Sequence, residues 1–144
     1  MVREFFSMKT PLLPIVIVCF SLLATGCTTA EKTRKNNAAA QTWIATNAKR
    51  HAATNLEGVY YSPEWGIIAL KQHQGKLTGS LGEFHLKGEV SGKTAFLLLV
   101  EDGWVEHTMI LNRKSSEILD GSYSSCVPYS NKDRLPVHLE RIVN

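Results

Sequence analysis

The stretch Thr94-Ala95-Phe96-Leu97-Leu98-Leu99-Val100-Glu101-Asp102-Gly103-Trp104-Val105-Glu106-His107-Thr108-Met109-Ile110-Leu111 decides the fold. Two apolar runs flank Asp102-Gly103, a pair that readily adopts the positive φ angles of a type I′ turn, so the stretch reads as an antiparallel hairpin. The first run is apolar at every position from Ala95 to Val100, and the second is nearly so. A strand that is apolar on both sides must be covered on both sides. If Leu97 and Leu99 face an interior, then Phe96, Leu98, Val100 and Ile110 form an outer apolar patch that needs a cover. Three covers are open: the chain's own Trp43-Ile44 segment folded back, a second copy, or another protein. These four residues are the candidate partner surface.

The same texture extends outward from the hairpin. Runs suited to β-strands lie near 57–62, 65–73, 76–81, 83–90, 94–101, 104–112, 117–124 and 135–142, punctuated by Gln74-Gly75, Leu81-Gly82 and Ser91-Gly92-Lys93. No connection is long enough to carry a helix between parallel strands, so the expected sheet is an antiparallel meander. Within it Leu-x-Gly-x-apolar recurs four times, at Leu56–Tyr60, Leu77–Leu81, Leu86–Val90 and Leu119–Tyr123. Side chains alternate along a strand, so Leu, Gly and the last apolar residue share one face. Mid-strand glycine marks a bend or a close backbone approach. Four equivalent ones indicate a strongly coiled sheet, and the fold class is all-β, about eight strands closing into a small barrel.

That arrangement resembles, at fold level, the small up-and-down barrels of the calycin type, whose first strand often carries Gly-x-Trp where this chain has Gly58-Val59-Tyr60. The resemblance implies a barrel that side chains can fill or that can hold one small ligand. Only 89 of the 144 residues follow Asn55, and Phe84, Leu86, Val90 and Tyr123 fall on the inward face. A filled barrel is favoured over a hollow one.

Upstream, Arg3 and Lys9 precede an apolar stretch from Leu12 to Leu23, followed by small residues. A spanning helix needs roughly 20 apolar residues, so this shorter core, interrupted by Pro14, reads as an export signal. Leu22-Leu23-Ala24-Thr25-Gly26-Cys27-Thr28 resembles the lipobox of bacterial lipoproteins, with Ala24 where Leu is usual. The resemblance implies removal of residues 1–26, diacylglyceryl transfer to Cys27 and, because Thr28 is not Asp, an outer-membrane destination facing the periplasm. Ordinary cleavage after Ala30, releasing a soluble exported protein, is the alternative. Cys19 would leave with the signal, and Cys126 would remain as a buried thiol or form an intermolecular disulfide. Residues 27–55 read as a lipidated N-terminus and basic tether, and 56–144 as the barrel domain. The tether's composition favours a disordered spacer, since an isolated helix of that length is marginal and only docking of Trp43 and Ile44 would hold one.

The formal charge of +3 divides unevenly: residues 27–55 carry +4, while 56–144 carry nine Lys/Arg against eleven Asp/Glu. A mildly acidic folded part does not suit nucleic acid. Phosphate-loop, Gly-x-Ser-x-Gly and His-Glu-x-x-His patterns are not found in the sequence. His73, His85, His107 and His138 fall one per strand, without zinc spacing, and Glu101, Asp102 and Glu106 surround a turn. The expected protein is a non-enzymatic envelope module without cofactor or metal. Its expected partners are the membrane, through lipid, and an envelope protein or a second copy. An inhibitor-like role, with Ser124–Tyr129 as a loose candidate loop, is a variant, and carriage of a small apolar ligand inside the barrel is the alternative.

Overall fold

The computed structural model describes residues 24–125 and 131–142, with side chains from Ala30 onward. Cys19, Cys126, most of the leader and of the Ser124–Tyr129 loop, and the Cys27 side chain lie outside that range. One helix, α1 (Ala24–Asn47), precedes β1 (Gly58–Ser62), β2 (Gly66–His73), β3 (Lys76–Leu81), β4 (Phe84–Ser91), β5 (Thr94–Glu101), β6 (Trp104–Arg113), β7 (Ile118–Ser124) and β8 (Leu135–Arg141). The strands close into a barrel in chain order, every neighbour antiparallel, with β8 returning to β1. They lie where the sequence predicts them. Asp102 (φ 48°) and Gly103 (φ 83°) take the two positive φ angles expected at that turn, as do Gln74 (49°) and Gly75 (80°).

Closure depends on the repeated glycines. A Cβ on Gly79 would lie 2.0 Å from the Ala69 carbonyl oxygen, one on Gly88 2.1 Å from that of Phe96, and one on Gly121 1.7 Å from that of Ile110. No side chain fits there. Each of these glycines is instead paired across the sheet with large aliphatic residues: Gly79 with Leu70 and Leu86, Gly88 with Leu77 and Leu97, Gly121 with Leu111 and Val137. The strands approach each other closely at the glycine while its neighbours fill the interior. Leu70, Leu77, Leu86, Leu97, Leu99, Met109, Leu111, Leu119 and Leu139 pack there, each essentially inaccessible to solvent. Leu56 joins this core at one end, and the partly buried Trp65 packs on it from the β1–β2 turn at the other.

The spacer favoured by composition is instead a docked helix. Ala40, Trp43 and Ile44 of α1 bury against Leu98 and Val105, with Phe96, Val100 and Ile110 beside them. Two large apolar residues suffice because the outer wall of β5 and β6 presents a matching apolar area. Asn37 fixes one end of the contact by donating from Nδ2 to the Gly103 carbonyl (2.8 Å) and accepting at Oδ1 from the Val105 amide (3.1 Å). Beyond the helix the chain passes beneath the opposite rim. There the Arg50 amide donates to Ser91 Oγ (2.9 Å), the Gly92 amide to the His51 carbonyl (3.0 Å), and the Ala53 amide to the Gly92 carbonyl (2.8 Å). Thus α1 runs along the wall from the rim carrying Asp102-Gly103 to the rim carrying Gly92.

Gly121→Ala is expected to lower stability by about 3 kcal/mol or more, because the new methyl overlaps a backbone carbonyl and forces strand separation. Gly82→Ala, at φ 56° with no atom within 4 Å of the added carbon, is expected to cost only about 1 kcal/mol of backbone strain. Urea denaturation of the two variants checks the difference; equal losses would contradict the close approach.

Candidate functional site

Four places on the barrel gather chemistry or apolar surface. The first is the wall that the sequence marks as a partner surface. Phe96, Leu98, Val100 and Ile110 do face outward together, and Leu98 is fully buried beneath α1. The cover realised is the chain's own. Trp43 lies edge-on to Phe96 (5.6 Å between centroids, 75°) and 5.5 Å beneath the Arg134 guanidinium. Arg134 in turn donates to Thr108 Oγ1 (2.9 Å), the Thr108 carbonyl (2.7 Å), Ser122 Oγ (3.1 Å) and the Ser122 carbonyl (3.1 Å). One cation therefore ties β6, β7 and the helix together. Asn131 adds a second tie, accepting from Trp43 Nε1 (3.3 Å) and donating to Asn47 Oδ1 (3.3 Å).

The second place is the aromatic end of the barrel. The pairing shifts between Leu99 and Val100, so that Leu99 faces His107 while Val100 faces Val105. This bulge leaves Glu106 as the extra residue, with Val105 outward under α1 and His107 inward. Strict alternation would have put Val105 and His107 on one face, and the sequence carries no signal for the exception. His107 meets Trp65 (5.2 Å), Phe84 (5.7 Å) and Tyr123 (6.2 Å) in edge-to-face contacts. Burial among these rings pushes the imidazole pKa below its usual 6.5, against the opposing pull of Glu106. Among the described residues, its Nδ1 and Trp65 Nε1 are buried without a hydrogen-bond partner. On the rim above, desolvation and then the neighbouring Glu83 hold the Glu101 carboxyl above its ordinary value, with Asp102 and Glu106 adding repulsion.

The third place is an ion chain on the outer face of β7 and β8. His138 Nδ1 meets Asp120 Oδ1 (2.5 Å), His138 Nε2 meets Glu140 Oε1 (3.3 Å), and Lys114 Nζ meets Asp120 Oδ2 (3.0 Å). The two carboxylates raise the His138 pKa, Asp120 foremost, while hydrogen bonds from His138 and Lys114 lower that of Asp120. Both imidazole nitrogens are engaged, so neither is left to act as a base toward a substrate. The sequence placed these histidines on separate strands, but the β7–β8 register that sets Asp120 opposite His138 depends on the length and path of a loop and is not written in local residues.

The fourth place is apolar and open. Val59, Tyr61, Ile67 and Ile142 are 40%, 49%, 60% and 39% exposed. Tyr61 pairs with Ile67 and Val59 with Ala69 across β1 and β2, and the Ile142 amide donates to the Val59 carbonyl (2.8 Å). They form one patch half-way round the barrel from α1. By contrast, the cleft of about 640 Å³ between residues 51–55 and the β2–β3 turn is open and polar, lined by His51, Thr54, Asn55, Gln72 and Gln74 among others.

Among the described residues no group of three or more His, Cys, Asp or Glu is placed to hold a metal ion. Among them, too, no helix is long and apolar enough to cross a membrane. Comparison with protein-family models, with curated proteins and with solved structures finds no match for this chain.

The two shifted histidines set opposite pH limbs. A lowered folded pKa at His107 means that the unfolded chain binds its proton first, so stability falls as pH drops below about 6.5. A raised pKa at His138 contributes stability that is full below about 6.5 and lost as pH rises through the folded value. His107→Phe is therefore expected to flatten the acid limb, and His138→Gln to flatten the loss that begins above about 6.5, in urea midpoints measured from pH 5 to pH 9. An unchanged acid limb in His107→Phe would contradict the burial of that ring.

Proposed function

We propose that the chain is a lipid-anchored protein of the bacterial cell envelope, a non-catalytic module that binds an envelope protein. The observation that carries this reading is the distribution of apolar surface. The barrel interior is filled by the chain's own aliphatic side chains, and the outer wall of β5 and β6 by its own helix. Among the described residues, the large apolar side chains left open are Leu135, at the start of β8, and the Val59–Tyr61–Ile67–Ile142 group, which gathers four of them in one patch. Apolar patches of a few hundred Å² on a small soluble protein often mark sites of association. The partner surface is thus assigned to β1, β2 and the end of β8, in place of the covered Phe96, Leu98, Val100 and Ile110.

Carriage of a small apolar ligand is the weaker reading, because it needs a cavity of hundreds of Å³ where Leu70, Leu86, Leu97 and Leu111 pack against one another's strands. The anchor rests on the lipobox-like run ending at Cys27. Two or more acyl chains hold a protein stably at a bilayer, since each buried methylene contributes about 0.8 kcal/mol. No membrane-facing barrel surface is required. Lys71, Thr78 and Lys87 are exposed on the outer face, where a lipid-spanning barrel carries apolar residues.

Two measurements on intact cells test this. A photo-crosslinking residue at Tyr61 or Ile67 is expected to give a discrete protein adduct that the same residue at Thr78 does not; adducts independent of position would contradict the assigned surface. Metabolic labelling with a palmitate analogue is expected to mark the wild-type chain and not Cys27→Ser, and equal labelling would remove the anchor.

A further inference from the structure

The helix does more than cover the barrel wall. From Asn37, which is bonded to the turn at the Asp102-Gly103 rim, α1 extends back to Ala24, past that rim and away from the barrel. At 1.5 Å per residue, Cys27 stands about 15 Å beyond Asn37 along the axis. In an extended tether the basic residues of this stretch would be dilute. On a helix they are gathered: Lys32, Arg34 and Lys35 occupy less than one turn, about 7 to 12 Å from Cys27. Ala30, Glu31, Lys32, Arg34 and Lys35 are all exposed. Glu31 pairs with Lys35 at 2.9 Å, which leaves this part of the helix at +2.

We infer that the first half of α1 is a rigid, basic stalk whose Lys32 and Arg34 bind the anionic phospholipid headgroups of the bilayer that receives the acyl chains, with the Asp102-Gly103 rim turned toward that bilayer. The inference rests on lipidation of Cys27. Three observations support it together. The charges lie within about one to one and a half Debye lengths of the acylation point, where headgroup charge is still felt at physiological ionic strength. The helix leaves the barrel at one rim only, which fixes the direction in which the barrel hangs. And that rim gathers four carboxyl groups, Glu83 at the β3–β4 turn and Glu101, Asp102 and Glu106 around the β5–β6 turn, so an anionic surface repels it. Attraction at the stalk and repulsion at the rim hold the barrel off the membrane, leaving the β1–β2–β8 patch accessible from the side.

Each Lys or Arg at an anionic surface changes affinity by roughly fivefold. The test uses the full lipidated protein, purified in detergent and reconstituted into phosphatidylcholine vesicles with or without phosphatidylglycerol. Amine-reactive labelling is read residue by residue by mass spectrometry. Labelling of Lys32 is expected to fall about fivefold with phosphatidylglycerol and to recover at high salt, while Lys71 and Lys87 stay constant. Arg34→Gln is expected to weaken the protection of Lys32. Equal Lys32 labelling in both kinds of vesicle overturns the stalk. So does protection shared by Lys71 and Lys87, because the barrel would then lie flat. The intact mass reads the anchor separately: an acyl-free chain overturns lipidation and the stalk with it, whereas an acylated chain with uniform labelling overturns the stalk alone.

Discussion

The close approach of neighbouring strands at Gly79, Gly88 and Gly121 is the constraint on which the rest of the structure depends. At each point a carbonyl oxygen of the adjacent strand lies where a Cβ would be. The sheet can therefore bend tightly enough to close with eight short strands. Closure places the Leu members of the repeat inside, and the paired aliphatics fill the space that the glycines leave. A barrel this narrow has no room for both a full set of inward side chains and a ligand. It also presents the other face of every strand outward, including that of the doubly apolar β5–β6 hairpin.

The helix follows from that outward face. Leu98 cannot face inward, because Leu97 and Leu99 already do, and it cannot face water without exposing a continuous apolar wall. Trp43 and Ile44 cover it, and Arg134, held by Thr108 and Ser122, caps the Trp43 ring. Burying aromatic and branched side chains of this size contributes about 1.5 to 3 kcal/mol each. That is enough to hold a helix whose own composition is marginal. A segment that would otherwise be a loose tether becomes a rod fixed to one side of the barrel, so that the proposed anchor at its N-terminal end would also set the barrel's orientation.

Much of this was legible in the residues. Asp102-Gly103 between apolar runs gave the hairpin, the spacing of Leu, Gly and apolar residues gave a coiled and closing sheet, and Ala95 to Val100 required an outer cover. The choice among covers was not legible, because Trp43 and Ile44 are only two large residues in a polar segment, and whether they dock depends on a surface assembled from residues far along the chain. The bulge that turns His107 inward, the ion chain joining Asp120 to His138, and the open patch of Val59, Tyr61, Ile67 and Ile142 all depend on register between strands. Between β7 and β8 a loop of ten residues intervenes, and local composition does not encode register across it; within the tight β5–β6 hairpin no residue announces the bulge. For the candidate site this matters most: the residues that the sequence marked for a partner are satisfied internally, and the exposed ones lie mostly on β1 and β2, where Val59-Tyr60-Tyr61 and Ile67-Ile68-Ala69-Leu70 are also apolar on both faces, a shorter signal that the β5–β6 run overshadows.

Amide hydrogen exchange along α1 tests most directly the claim that the chain covers its own outer wall. The amides of Ala40 to Asn47 are expected to be protected to an extent approaching that of the β5 and β6 strands, because opening the helix exposes Leu98 and Val105. Exchange of those amides at the rate of an unstructured chain, with the strands still protected, would contradict it and leave the β5–β6 wall open for a partner.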